Sequence, residues 1–239
     1  MLNHPVWLAL SLVLLVLLAS LWRRHVALRR QAFIREAPLP PGLFERLRRH
    51  HPGLSTKDCQ LVAQGLRQFF MAHLRSGRGF VSMPSQVVDD LWHEFILYTR
   101  HYERYCGRAF GRMLHHTPAV VLSPDRRGNE GLRRCWWWAC REELIDPRRP
   151  SRLPLLFALD AKLGIAGGFR YVPDCGGVRR DDGSGGTYCG GDFASSAFDG
   201  GAAGFGDGDG GGHGHGSGDG GSDGGGDGGC GGGCGGGGD

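Results

Sequence analysis

The sequence predicts an all-α protein in three parts: one N-terminal transmembrane helix, a compact domain of about five helices, and a disordered glycine-rich tail. Three observations predict it. Val6 to Trp22 is a 17-residue run without a charged side chain. Between residues 38 and 175, apolar residues recur at helical spacing and strand signals are nearly absent. From Gly176 to Asp239, 32 of 64 residues are glycine, against 12 in the rest of the chain. So little apolar matter does not repay the entropy of ordering.

As a helix the Val6–Trp22 run is roughly 25 Å long, within tolerance for a bilayer core. Trp7 and Trp22 stand at its ends, where interfacial aromatics sit. Met1–Pro5 carries no Lys or Arg and Ala19-Ser20 is a poor cleavage site, so the segment reads as an uncleaved anchor. Arg23, Arg24, Arg29, Arg30 and Arg35 make residues 23–37 a basic juxtamembrane linker suited to anionic head groups. The positive-inside bias leaves residues 1–5 outside and sends the rest into the cytoplasm. Thiols stay reduced there, so Cys59, Cys106, Cys135, Cys140, Cys175, Cys189, Cys230 and Cys234 imply no disulfide framework.

Charge divides along the same lines. Residues 176–239 hold two Arg and ten Asp, about −8, so the overall +4 leaves about +12 on residues 1–175. A basic body with an acidic tail favours charge-steered contacts. No nucleic-acid-binding motif accompanies that charge, and no nucleic-acid partner is expected.

The helical domain opens after Pro38-Leu39-Pro40-Pro41-Gly42. Leu43–His50 reads as a short helix stopped by Pro52-Gly53. Ser55 and Asp58 have capping-box spacing, and Leu61, Leu66, Phe69, Phe70 and Leu74 follow as one stripe ended by Ser76-Gly77. Pro84-Ser85 starts the central stretch, and Thr117-Pro118 and Ser123-Pro124 end it in a loop. Asn129 is the expected cap of a helix over Glu130–Ile145. Its Trp136-Trp137-Trp138 covers about 200° of surface and so predicts burial or a membrane face. Leu153–Leu163 is the last helix, and Gly167–Tyr171 is the one extended candidate. In the tail, His213, His215, Cys230 and Cys234 are ligand-type side chains that would hold metal weakly. Composition favours a solvated tail there.

Asp89–His116 carries Trp92, five further aromatics, one Cys and four His in 28 residues. On one straight helix over Asp89–Ala109, Val88, Leu91, Trp92, Phe95, Tyr98, Tyr102, Cys106 and Ala109 share a face. His93 falls on another, beside Asp89 at i,i+4. His93 and Cys106 would then stand roughly 20 Å apart. His93, Cys106, His115 and His116 suit zinc, which takes three or four such ligands at short range. Sharing an ion requires the helix to break, with Thr99 as the place to look because it can cap a second helix from Arg100. The periodicity favours no break and a single central core helix.

The run W-H-x8-Y-x2-Y-C-x8-H-H, formed by Trp92, His93, Tyr102, Tyr105, Cys106, His115 and His116, resembles the signature of bacterial glycine-rich domain-containing membrane proteins. These are distantly similar to the plant glycine-rich domain proteins, whose version reads approximately WHTH-x3-P-x2-Y-x2-YC followed by HH. Phe95 replaces its second His and Thr99 its Pro, which removes one ligand type and one helix breaker. The resemblance implies a bacterial inner-membrane protein and no established activity.

Two readings follow. The first is a non-enzymatic module at the cytoplasmic membrane face that binds a protein partner or the membrane surface. The second is a zinc-binding protein or metal-dependent hydrolase using His93, Cys106, His115 and His116, with Asp89 or Glu94 as base.

Overall fold

The computed structural model describes residues 4–116, 130–173, 187–190 and 193. It is all-α, with seven helices among the described residues: α1 (His4–Glu36), α2 (Leu43–His50), α3 (Thr56–Arg75), α4 (Gln86–Leu97), α5 (Thr99–Ala109), α6 (Glu130–Glu142) and α7 (Leu155–Lys162). One short parallel pair joins them, β1 (Arg170–Val172) with β2 (Thr187–Cys189), Tyr171 opposite Tyr188. The extended candidate at Gly167–Tyr171 is therefore one strand of this pair. Among the described residues, six helices follow α1 instead of about five because the central stretch is two helices.

α3 is the axle of the fold. Its N-terminus carries the capping box that the sequence announces: Ser55 N–H donates to Asp58 Oδ2 at 2.9 Å and Asp58 N–H to Ser55 Oγ at 3.2 Å. Gln68 to His73 are buried without interruption, so this part of the helix is covered all round, and α1, α2, α4, α6 and α7 all pack against α3. Gly65 permits the closest crossing: a Cβ there would stand 2.4 Å from Leu159 Cδ1 and 3.0 Å from Val88 Cγ2. Gln68 then ties two more elements to the axle. Its Nε2 donates to Glu143 at 2.9 Å and its Oε1 accepts Leu156 N–H at 2.9 Å.

Three boundaries differ from those the sequence suggests. Residues 23–36 are not a linker: α1 runs unbroken from the apolar segment into the core. Ile34 is fully buried and the Phe33 ring lies 5.2 Å from that of Tyr105. Residues 187–190 and 193, which fall inside the span expected to be tail, belong to the body: β2 pairs with β1 and Phe193 is buried against Trp136, Phe157 and Tyr171. Composition misses this because one aromatic inserted into a core outweighs many flanking glycines. Finally, the helix with the three tryptophans stops at Glu142. Trp136 and Trp137 are buried in the body and Trp138 partly so, with Trp136 Nε1 donating to the Pro147 carbonyl at 3.1 Å. Asn129, His213, His215, Cys230 and Cys234 lie outside the described residues.

The most connected polar group is Asp160 on α7, which is 2% exposed. Its carboxylate accepts from Ser85 Oγ (2.7 Å), Gln86 N (2.7 Å), Val87 N (3.2 Å) and Phe169 N (2.9 Å). Two of these donors are first-turn amides of α4, which have no partner within their own helix. Replacing Asp160 with Asn turns one acceptor oxygen into a donor facing donors. The variant is expected to lose about 3 kcal/mol of stability, seen as a melting temperature lower by about 10 °C. A loss below about 1 kcal/mol would show that the carboxylate does not hold α4.

Candidate metal-binding site at the elbow of α4 and α5

The central stretch breaks at Tyr98, which has φ −81° and ψ 57° between α4 and α5. The single straight helix favoured by periodicity is thereby corrected, and so is the proposed cap: Thr99 is the first helical residue of α5 and makes no cap bond. Tertiary contacts anchor the break. Tyr98 donates its hydroxyl to the Pro41 carbonyl at 3.2 Å, and the Arg46 guanidinium lies 5.3 Å from its ring centroid. The apolar stripe survives by turning the corner. Val88, Leu91, Trp92 and Phe95 on α4 face Tyr102, Tyr105, Cys106 and Ala109 on α5, all buried. Tyr105, which a straight helix leaves off the stripe, packs its ring 5.3 Å from Phe95 and 5.4 Å from Phe70.

The fold-back brings Trp92 Nε1 to Tyr102 Oη at 3.1 Å, and Tyr102 donates onward to the Leu114 carbonyl at 2.6 Å. This relay fixes the segment after α5, so that two residues later the His116 ring lies edge-on to Trp92 with centroids 4.6 Å apart. Burial raises the Tyr102 hydroxyl well above its ordinary range, which keeps it a donor.

Asp89, His93 and His116 meet there. His116 Nε2 is 3.0 Å from Asp89 Oδ1, His93 Nδ1 is 3.6 Å from Asp89 Oδ2, and the two imidazole centroids are 4.2 Å apart. One ligand atom from each lies within 4.8 Å of the others. Asp89 sits in the first turn of α4, where the helix dipole favours a carboxylate. The His93 side chain is 51% exposed and that of His116 14%, so the group opens to solvent on one side.

Of the four ligands that the sequence suggests, the structure brings two together. Cys106 is fully buried, beneath Tyr102 and the Leu114 backbone, and burial raises its thiol; it stands apart from the Asp89, His93 and His116 group. His115 points elsewhere, lining a cavity with His73, Arg112, Met113 and Leu114. Asp89 takes the third place instead. The D-x-x-x-H spacing on one helix face is the sequence signal for it.

The other acids of α4 are engaged with α2. Glu94 holds Arg46 at 3.0 Å and His50 at 2.9 Å, and Asp90 holds His51 at 2.8 Å. Burial works against the Glu94 carboxylate, but the bonds from His50 and Arg46 prevail and keep it below its ordinary range. It is a structural anion, not a free base.

The UCP032817-like family model matches residues 29–193, more than half of the chain, and the chain belongs to that family. The match starts on the half of α1 that docks and ends at Phe193, which is buried in the core, so its limits are those of the packed body. No curated protein and no solved structure matches.

Two predictions arise from the elbow. Tyr102→Phe leaves the buried Trp92 N–H without its acceptor and frees Leu114, so it is expected to cost about 1–3 kcal/mol in thermal unfolding; a neutral result would refute the relay. His73 is buried, and burial pushes its imidazole down to about 4, opposed by the Gly79 carbonyl 3.1 Å from Nδ1. Unfolded, it takes up its proton near pH 6.5. Its contribution is therefore present above pH 6.5 and lost as pH falls towards 4, by up to about 3 kcal/mol. Melting curves across that window should show His73→Gln losing less stability than the parent; parallel losses would overturn the assignment.

Proposed function

We propose that this UCP032817-like protein is a membrane-anchored, non-enzymatic binding module held against the cytoplasmic face of a bacterial inner membrane. The observation that carries the reading is α1. From Trp7 to Trp22 its large apolar side chains are all exposed, and no part of the body covers them. Such a surface is stable in lipid and costly in water. The same helix enters the body without a joint, and its first half-covered residues, Val26 and Ala27, come four residues after Trp22. That is roughly 6 Å along the axis, so the body would begin at the head-group layer.

Arg23, Arg24, Arg29 and Arg30 fall in this layer. Each would contribute about 1 kcal/mol towards an anionic surface. The Arg30 guanidinium lies against Gly111, which supports a membrane-proximal position for the loop before His116. A rigid anchor and a solvent-facing polar group near the bilayer support a module that presents a site, rather than one that swings on a tether.

Full-length protein is expected to pellet with membranes and resist an alkaline carbonate wash, while residues 23–239 alone do not. A C-terminal reporter that works only in an oxidising compartment should stay silent. Reporter activity would reverse the topology, and a mature N-terminus downstream of Trp22 by mass spectrometry would turn the anchor into a cleaved signal.

A further inference from the structure

We propose that Asp89, His93 and His116 form a site for a divalent transition ion of the zinc class. The site goes beyond anchoring and does not depend on membrane topology.

Hydrogen bonding accounts for only half of the arrangement. His116 Nε2 and Asp89 Oδ1, at 3.0 Å, are an ordinary imidazole–carboxylate pair. His93 is not one: its Nδ1 faces the second oxygen at 3.6 Å, beyond a useful hydrogen bond. Yet its ring lies 4.2 Å from the other imidazole. Two imidazoles converging on one carboxylate repel each other if both are charged, and at 3.6 Å His93 gains no hydrogen bond that would hold it there. A cation between them would draw all three groups together.

The distances suit that cation. Zinc binds His nitrogen and carboxylate oxygen at about 2.0–2.2 Å, which makes the edge of its tetrahedron about 3.3 Å. The two measured separations, 3.0 and 3.6 Å, bracket that edge, and the widest is within 4.8 Å. Rotation of the half-exposed His93 would close the remainder without backbone movement. Two nitrogens and one oxygen suit zinc-class ions over magnesium or calcium, which prefer all-oxygen sites. Solvent on the open side supplies the rest of the coordination.

Charge choice points the same way. Glu94, Glu142 and Glu143 take guanidinium partners, from Arg46, from Arg35 and Arg75, and from Arg152, whereas Asp90 takes one histidine, His51. Among the described residues, Asp89 pairs with two histidines alone. Loading would displace any proton shared by His116 and Asp89, so affinity should rise with pH.

The test uses the full chain in detergent, stripped with chelator and titrated with Zn(II) by calorimetry and with Co(II) by its visible absorption. One equivalent should bind. His93→Ala, His116→Ala and Asp89→Asn should each weaken binding more than about 10-fold. Cys106→Ser, His115→Ala and the tail variant His213→Ala/His215→Ala/Cys230→Ser/Cys234→Ser should keep it. His93→Ala removes a half-exposed side chain, so an unchanged metal-free melting curve separates lost ligation from lost fold. The proposal fails if the chain takes up no metal, if uptake follows Cys106 or the tail, or if His93→Ala binds like the parent.

Discussion

The structure depends on one buried carboxylate. Asp160 belongs to a short helix late in the chain, yet it receives the first-turn amides of α4, the Ser85 hydroxyl and the amide of Phe169. A helix N-terminus leaves amides that must find acceptors, and a charged acceptor bonds them more strongly than a neutral one. Ser85 caps weakly from within the chain, accepting Val88 N–H at 3.4 Å, and Asp160 supplies the stronger acceptor. α4 is thus aimed by α7. The side chains that α4 displays, including Asp89 and His93, take their positions from a contact made some seventy residues away.

Local signals were legible where a residue acts on its own neighbours. The Ser55–Asp58 box, the stops around Pro52-Gly53 and Ser76-Gly77, and the apolar stripe of α3 could all be read directly. So could the uncharged run that makes half of α1. Contacts between distant segments could not. Tyr98 bears no breaker's mark; it breaks the helix because Pro41 and Arg46 hold it from outside. Asp160 looks like any acid on a short apolar helix. Phe193 stands in glycine-rich sequence and only the core shows what it fills. The candidate site divides the same way: Asp89 and His93 are one turn apart and readable as a pair, whereas His116 joins them through Leu114.

α1 illustrates a second limit. Its apolar half and its arginine-rich half look like an anchor followed by a linker, because composition changes sharply at Arg23. Helical geometry does not change there. Arginine is a good helix former, and Phe33, Ile34 and Ala37 give the far end an apolar edge for the body to grip. Arg35 and Arg75 both close on Glu142, binding the end of α1 to α3 and α6. The apolar segment and the docked end share one unbroken helix.

The break at Tyr98 carries the remaining argument. In an unbroken helix, Trp92 and Tyr102 would be roughly 15 Å apart along the axis; in the folded chain their polar atoms are 3.1 Å apart. The aromatic rings that a straight helix would spread along one line are stacked instead into a compact cluster, with Phe95 against both Tyr102 and Tyr105. Burying these rings supplies the energy that holds the corner, and the relay through Tyr102 to Leu114 converts the corner into a position for His116. The aromatic residues of the corner therefore build, and His93 and His116 occupy. Trp92 backs the His116 ring, and Tyr102 fixes the segment that carries it to Asp89 and His93.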